Sequence, residues 1–214
     1  SSKYKTGSSV IKIWAIFALT KTNHLIMAEI IISLIIGISL SAASGFRIFV
    51  PFLVLSICSF AGWIDLGESA NWIGSVPAMI AFSVATAVEI GAYYIPWIDN
   101  MLDVISLPLS LVAGALLTSS MIVEFNPLLK WTLAIVLGGG AALNTQLLSI
   151  KARALSSVFT TGLGNPIVST IESVISTVVS FLAIFLPVLA LIILTFIIYW
   201  FYRMIQKARV VLKS

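Results

Sequence analysis

Charged residues are scarce in this chain. Only 9% of its 214 residues are charged, whereas 60% are hydrophobic. A soluble domain carries about 25% charged residues, so an ordinary soluble globule is excluded. A disordered chain is excluded as well, because it needs low hydrophobicity and high charge. The apolar runs do not alternate with polar residues as the strands of an outer-membrane barrel do. The composition therefore predicts an all-α fold, namely a polytopic transmembrane helical bundle.

Histidine and cysteine occur once each, as His24 and Cys58. The chain therefore cannot close a disulfide on itself, and it offers no ligand set for a zinc, haem or iron–sulfur site. Cys58 lies in an apolar run, where a small buried side chain is expected rather than a reactive thiol. His24 precedes the first membrane run, which argues against axial ligation of haem or chlorophyll in the core. We expect no cofactor.

Basic residues cluster at the two ends of the chain. Such clusters beside apolar runs are topology signals and contact lipid head groups, so membrane lipids are expected partners. The second cluster follows Trp200 and predicts a C-terminus on the cytoplasmic side. A basic stripe interleaved with aromatic residues on a soluble face is missing, so nucleic acid is not an expected partner. The basic residues are Lys3, Lys5, Lys12 and Lys21 before the first long run, and Arg203, Lys207, Arg209 and Lys213 after the last.

The chain divides into three parts by composition. Residues 1–26 form an N-terminal extension, residues 27–205 a single transmembrane helical domain, and residues 206–214 a basic cytoplasmic tail. The first methionine is Met27, and the apolar patch within residues 10–20 is too short to span a membrane. We interpret the extension as an interfacial helix, a targeting remnant or sequence upstream of the true start.

Seven charge-free intervals predict six or seven membrane segments. The last interval is too long for one straight span, and Pro187 divides it. Because its surroundings are too apolar for a water-exposed turn, we predict a kinked continuation there rather than a hairpin. Lys151 and Arg153 are placed together in a connection between two spans. The intervals are 30–46, 48–64, 69–88, 104–123, 131–150, 154–171 and 173–202.

Two segments resemble each other and suggest a faint internal repeat. Residues 40–51 and 156–168 each contain small residues, a glycine break, one polar residue and then an apolar run. Transporters often contain repeats whose glycine-broken or re-entrant helices meet near the middle of the membrane. Small residues also allow close packing of helices, so the repeat remains one of two interpretations.

Glu172 is the sharpest candidate for a functional residue. It flanks a stripe of serines on one helix face. An acid inside a membrane costs free energy, so an acid that is present there is a candidate functional residue. The alternative is a buried Glu–Arg pair that locks helices together. The stripe consists of Ser169, Ser173, Ser176 and Ser180.

Three further acids stand near the middle of the chain. Glu89 and Tyr93 are four residues apart and share a helix face, as do Asp99 and Asp103. Two neighbouring carboxylates repel, so one is commonly protonated or shares a cation or an arginine with the other. A metal ion is a weak possibility at Asp99 and Asp103. The alternatives are a Glu89 carboxylate bonded to a tyrosine and a solvated helix start for the Asp pair.

Two polar residues stand at glycine-containing breaks. Asn165 precedes Pro166 and is suited to cap a helix whose free N–H groups bind an anion or a carbonyl oxygen. Arg47 interrupts two apolar runs, either reaching a lipid head group or pairing with a buried acid. The glycines of 138–142 favour close helix packing over a flexible gating point. The candidates for an ion path are therefore Arg47, Glu89, Tyr93, Asp99, Asp103, Asn165, Ser169, Glu172 and Ser176.

Several of these segments together resemble one family. The resemblance rests on the segments Ala42–Pro51, Gly62-Trp63, Glu89 with Tyr93–Asn100 and Asp103, Gly138–Ala142, and Thr161–Pro166 with Ser169 and Glu172. They resemble the bacterial and plastid membrane proteins grouped as domain-of-unknown-function family 4126, over about residues 27–189. The resemblance implies a membrane-embedded unit in a bacterial inner membrane or a plastid or thylakoid-type membrane, and it implies no activity.

Three functions compete on these residues. The first is a small proton- or cation-coupled transporter or channel that uses buried carboxylates, with Arg47 as counter-ion. The second is a structural or assembly subunit, alone as a homo-oligomer or within a larger membrane complex. The third is a membrane enzyme or lipid-handling protein, which the lack of a Ser–His or Cys–His pair disfavours. An enzyme is therefore the least favoured class, and a small ion or solute is the expected partner of the first.

Overall fold

The described part of the chain is helical and contains no strand. The computed structural model describes residues 27–122, 126–161 and 163–211, without the side chains of Glu68, Pro96, Trp97, Asp99, Asn100 and residues 208–211. The chain groups into two units, residues 1–33 and 34–214, and the second contains every contact that positions the candidate site. The predicted extension of residues 1–26 lies outside the described residues.

The helices overlap the charge-free runs of the sequence but continue through several charged residues. A 3₁₀ segment, Glu68–Gly74, connects α2 to α3, and a π-helical segment, Ala134–Gly139, joins α5 to α6. The α-helices are α1 (Met27–Ser44), α2 (Phe49–Phe60), α3 (Val76–Ala92), α4 (Pro96–Met121), α5 (Pro127–Leu133), α6 (Gly140–Thr160), α7 (Asn165–Phe185) and α8 (Pro187–Val211).

Five helical stretches in the described ranges are long and apolar enough to span a membrane. They are Met27–Ser44, Met101–Met121, Pro127–Thr160, Asn165–Phe185 and Pro187–Lys207. Helices α2 and α3 are also apolar but have only 12 and 17 residues. At about 1.5 Å per residue they reach about 18 and 25 Å, less than the hydrocarbon core of about 30 Å. The prediction of a helical membrane protein is confirmed.

Prolines set where most helices begin. Six of the seven stand in the first turn of a helix, where the missing N–H would have no partner. Ser75 and Asn126 add side-chain caps, accepting hydrogen bonds from the backbone N–H groups of Ala78 and Leu128 at 3.3 and 2.9 Å. Only Pro108 lies inside a helix, α4.

Helices α7 and α8 form a hairpin, so the predicted kinked continuation at Pro187 is wrong. Leu186 leaves the helical conformation, with φ −138° and ψ 66°. The neighbouring residues Phe46 and Arg47 contact both arms: the Arg47 Nε atom donates to Ser173 of α7 at 2.9 Å, and the ring centroids of Phe46 and Phe201 of α8 lie 6.2 Å apart. One continuous helix would separate Ser173 from Phe201 by about 42 Å. The turn at Leu186 can be apolar because, in a membrane protein, a turn need not be exposed to water.

Small residues let three segments approach closely. The Ser41 hydroxyl of α1 donates to the Gly114 carbonyl oxygen of α4 at 2.6 Å and shares a hydrogen bond of 2.8 Å with Thr118. A Cβ atom on Gly138 of the π segment would lie 2.5 Å from the same carbonyl oxygen of Gly114. The predicted packing role of the glycines of 138–142 therefore holds for Gly138, whereas a Cβ on Gly140 would meet open space.

Candidate functional site

The first component of the site is the break between α1 and α2, which places Arg47 in the protein interior. The backbone leaves α1 after Ser44 and resumes a helix at Phe49. Gly45 permits the break to lie against α6, because a Cβ there would come within 2.6 Å of Thr145 and 2.9 Å of the Gln146 nitrogen. Arg47 is fully buried. It therefore pairs with protein groups, and the alternative of a lipid head group is not what the geometry shows.

Glu89 of α3 caps the start of α2. Its two carboxylate oxygens accept hydrogen bonds from the Ile48 and Phe49 N–H groups at 2.7 and 3.0 Å. Helix N-termini carry unpaired N–H groups and a partial positive charge, so a carboxylate is favoured there. The alternative of a tyrosine partner for Glu89 is not what the structure shows, because its hydrogen bonds come from these two backbone N–H groups. Glu89 is 9% exposed, and α2 and α3 are thereby joined inside the bundle.

Glu172 of α7 lies between two arginines. Its Oε2 atom forms an ion pair with the Nη2 atom of Arg153 from α6, accepts a second bond from Arg153 Nε at 3.2 Å, and lies 3.6 Å from Arg47 Nη2. Its Oε1 atom accepts a hydrogen bond from the Ser149 hydroxyl. Glu172 is fully buried. A buried charge needs such partners, because removing an ion from water costs several kcal/mol.

Arg47 and Arg153 are each held by further polar groups. Arg47 donates to Ser173 Oγ, and its Nη2 atom donates both to the Ser169 hydroxyl and, at 2.8 Å, to the Ser169 carbonyl oxygen. Arg153 Nη1 forms an ion pair of 3.1 Å with Asp103 of α4. The serine stripe predicted for α7 thus faces the protein interior.

The Tyr93 ring contacts both guanidinium groups. The Cζ atoms of Arg47 and Arg153 lie 4.1 and 4.0 Å from the centroid of its ring. A cation above an aromatic face is stabilised by about 0.5–2 kcal/mol, more when it is desolvated. Two like charges can therefore stay close in the interior, because the ring attracts both and Glu172 contacts both.

We call these five charged residues the charged core: Arg47, Glu89, Asp103, Arg153 and Glu172. They come from the α1–α2 break and from α3, α4, α6 and α7. Among the described side chains the charged core combines two guanidinium groups with three carboxyl groups. When all five groups are ionised, the charged core has one more negative than positive charge. A proton or a bound cation would balance that charge, and a purely apolar bundle has no such charge to balance.

The other predicted candidates lie in different surroundings. Asp103 does lie in a helix one turn after Asp99, but the Asp99 side chain is outside the described residues. Asn165 is the first residue of α7 rather than its cap, and its Nδ2 atom donates to Ser157 of α6 at 3.0 Å. The Ser176 hydroxyl donates to the Ala43 carbonyl oxygen at 3.0 Å and so joins α7 to α1. No group of three metal-ligating side chains occurs among the residues described.

Arg153 is the functional candidate that the sequence reasoning missed. The sequence predicts that Arg153 and Lys151 lie in a connection between spans, but both lie within α6, where Lys151 is exposed and Arg153 is only 2% exposed. The spacing of polar residues along α6 indicates that Arg153 belongs to a helix. Gln146, Ser149 and Arg153 fall at i, i+3 and i+7, which is one face of a helix. Gln146 completes that face by donating to Ser106 of α4 at 2.6 Å.

Comparison with known proteins identifies a family and no nearer relative. The sequence model of the family described as "Domain of unknown function (DUF4126)" matches residues 34–207. The match confirms the resemblance seen in the sequence and extends it past Leu189 to Lys207 within α8. No curated protein and no solved structure matches the chain.

Proposed function

The chain belongs to the DUF4126 family, and we propose that this integral membrane protein is a small proton- or cation-coupled transporter or channel. One observation carries the proposal. In a chain with 9% charged residues, four buried ionisable side chains and the partly buried Asp103 come together from five segments around a helix break. Buried ionisable residues in membrane segments are expensive, and they commonly mark ion pathways and proton relays.

The α1–α2 break supports the same proposal. Interrupted helices form the binding sites of many transporters, because their free N-termini face an anionic group of the substrate. Here Glu89 occupies that position with both carboxylate oxygens. We propose that protonation of Glu89 or Glu172 weakens these attachments and lets the break move.

Glu172 has the contacts for a change of partner. It is in direct ion-pair contact with Arg153 and is 3.6 Å from Arg47, a longer separation. We propose that Glu172 gains and loses its proton as it shifts between the two guanidinium groups, with Tyr93 keeping them apart. The path would then pass from Asp103, which contacts Arg153, towards the α1–α2 break. The basic residues after Trp200 support a cytoplasmic C-terminus for this path.

Flux measurements in proteoliposomes test the proposal. The purified chain is reconstituted with pH- and potential-sensitive dyes under imposed proton, sodium, potassium and chloride gradients. Glu89→Gln and Glu172→Gln should each lower a gradient-specific flux at least tenfold. Asp65→Asn is the matched control, since Asp65 is an exposed carboxylate outside the charged core and should keep the wild-type rate. Unchanged flux in both glutamine variants would show that the mechanism is wrong.

A second candidate function is a structural subunit, alone as a homo-oligomer or in a larger membrane complex. The specific observation in its favour is that the acids already have protein partners: Glu89 has two N–H donors, and Glu172 has Ser149, Arg153 and Arg47. Such pairs also serve to hold helices in register. This function would be favoured if folded wild-type protein showed no ion flux under any gradient and a stoichiometric partner were recovered after mild solubilisation.

A further inference from the structure

Helices α3 and α4 are neighbours in sequence but diverge in space. Helix α3 packs on α2 and on the 3₁₀ segment, whereas α4 packs on the π segment and on α6. Between them lies a cavity of about 560 Å³, which we call the α3–α4 cleft. Its volume falls within the range of about 300–1,000 Å³ that is usual for ligand sites.

The cleft is apolar and opens on the outer surface of the bundle. Four residues line the rim of the cleft and are also exposed on the outer surface. The exposed fractions of Val88 and Val84 are 65% and 58%. In an integral membrane protein, exposed apolar helix surface of this kind contacts acyl chains. The apolar rim residues are Val84, Val88, Ile105 and Leu109, and the alanines Ala81, Ala85 and Ala92 leave the space between them.

The inner end of the cleft carries a few polar groups, and several of them already bond within the protein. Glu89 accepts two backbone N–H bonds, and Ser106 accepts from Gln146 and donates to the Asp103 carbonyl oxygen at 3.2 Å. Two guanidinium groups already lie about 4 Å from the centre of the Tyr93 ring, at 4.1 and 4.0 Å. A polar ligand would therefore gain little there, whereas an apolar chain would bury the exposed rim.

We propose that the α3–α4 cleft binds the acyl chain of a bilayer lipid. The chain lies between α3 and α4 and ends against Glu89 and Tyr93. It fills space that helix packing leaves open, and it enters sideways from the membrane without crossing a polar surface. This inference does not depend on transport, because it concerns only occupancy of the cleft by lipid.

Photolabelling in nanodiscs tests the proposal. The full chain is reconstituted with phosphatidylcholine that carries a diazirine in the middle of one acyl chain, and labelled peptides are identified by mass spectrometry. We expect labelling of the α3 and α4 rim residues at least threefold above that of the α8 surface, where Phe196 is 67% exposed. We also expect that an excess of unmodified lipid reduces the rim labelling less readily than the α8 labelling, because the cleft retains its occupant.

Substitution with tryptophan separates the cleft from the general surface. Ala85→Trp places a large side chain in the cleft, whereas Ala87→Trp places the same side chain on an exposed position of α3 outside the lining. Ala85→Trp should lower rim labelling at least fivefold, and Ala87→Trp should leave it unchanged. Val88→Trp, at a rim position that tolerates bulk, provides a second test if Ala85→Trp does not fold.

Two outcomes would overturn the proposal. One is equal labelling of the rim and of α8, which would mean that the cleft holds no particular chain. The other is full rim labelling in folded Ala85→Trp or Val88→Trp protein. Neither outcome affects the flux experiments, and a chain that conducts no ion would still show the labelling expected here.

Discussion

The contact between Glu172 and Arg153 should dominate the stability of the charged core. Removing either partner leaves a buried charge without its nearest counter-ion, since Glu172 is fully buried and Arg153 is 2% exposed. Breaking a buried pair in this way typically costs about 3–5 kcal/mol. We expect Glu172→Leu to be the worse of the two single changes, because Arg47 and Arg153 then face each other across Tyr93 without the acid that contacts both.

Replacing both partners should be less damaging than the two single changes suggest. Arg153→Met with Glu172→Leu removes one charge of each sign, so the remaining imbalance equals that of the wild type. The sum of the single costs should exceed the double cost by about 0.5–3 kcal/mol, the range found for contacting residues. Apolar replacement of a whole buried pair is often close to neutral, which supports the same direction.

The assay is a double-mutant cycle in mixed detergent micelles. The apparent free energy of unfolding is measured from helical circular dichroism during titration with a denaturing detergent, for the wild type, both single variants and the double variant. Arg203→Met is the matched control, because Arg203 is exposed near the end of α8 and its Nε atom contacts only Tyr199 in the described structure. Additivity within about 0.5 kcal/mol would refute the reasoning, because independent sites behave in that way.

Five further substitutions test three contacts of the fold. Gly138→Ala should lower stability by about 1–3 kcal/mol, because its Cβ would overlap Gly114, whereas Gly140→Ala meets open space and should be neutral or slightly stabilising. Glu89→Ala should cost about 1–3 kcal/mol and speed hydrogen exchange at the Ile48 and Phe49 amides, which lose their acceptor. Tyr93→Phe should retain the wild-type melting temperature, whereas Tyr93→Leu should lower it, because only the leucine variant loses the ring between the guanidinium groups. Equal effects of the alanine changes at Gly138 and Gly140, unchanged amide exchange in Glu89→Ala, or equal melting of the two Tyr93 variants would each contradict the corresponding contact.

The helices were largely predictable from the sequence because they overlap the charge-free runs and most begin at a proline. Two expectations failed for an identifiable physical reason. Both expectations assume that the residue is surrounded by water. The first is that the stretch around Leu186 is too apolar for a turn. The second is that the charge of Arg153 ends a membrane span. Inside a membrane bundle an apolar turn is tolerated, and a charge is tolerated when a partner such as Glu172 is present.

Part of the charged core was predictable and part was not. Glu172 was identified because a lone acid beside a serine stripe is conspicuous on one helix face. Its pairing with Arg47 was also among the stated alternatives. The cap that Glu89 places on α2 could not be predicted, because it joins residues about 40 positions apart through a break whose direction depends on tertiary packing. For Asp99 the predicted role stays a prediction.

The charge requirement at position 172 tests the central claim most directly. Proton flux is followed in proteoliposomes that contain the wild type, Glu172→Asp or Glu172→Gln, each shown to be folded by its circular dichroism and melting temperature. If Glu172 carries the proton, the aspartate variant retains a substantial part of the flux and the glutamine variant retains less than a tenth. Equal flux in the two variants, with the wild type active, would contradict the claim and leave the charged core a structural element only.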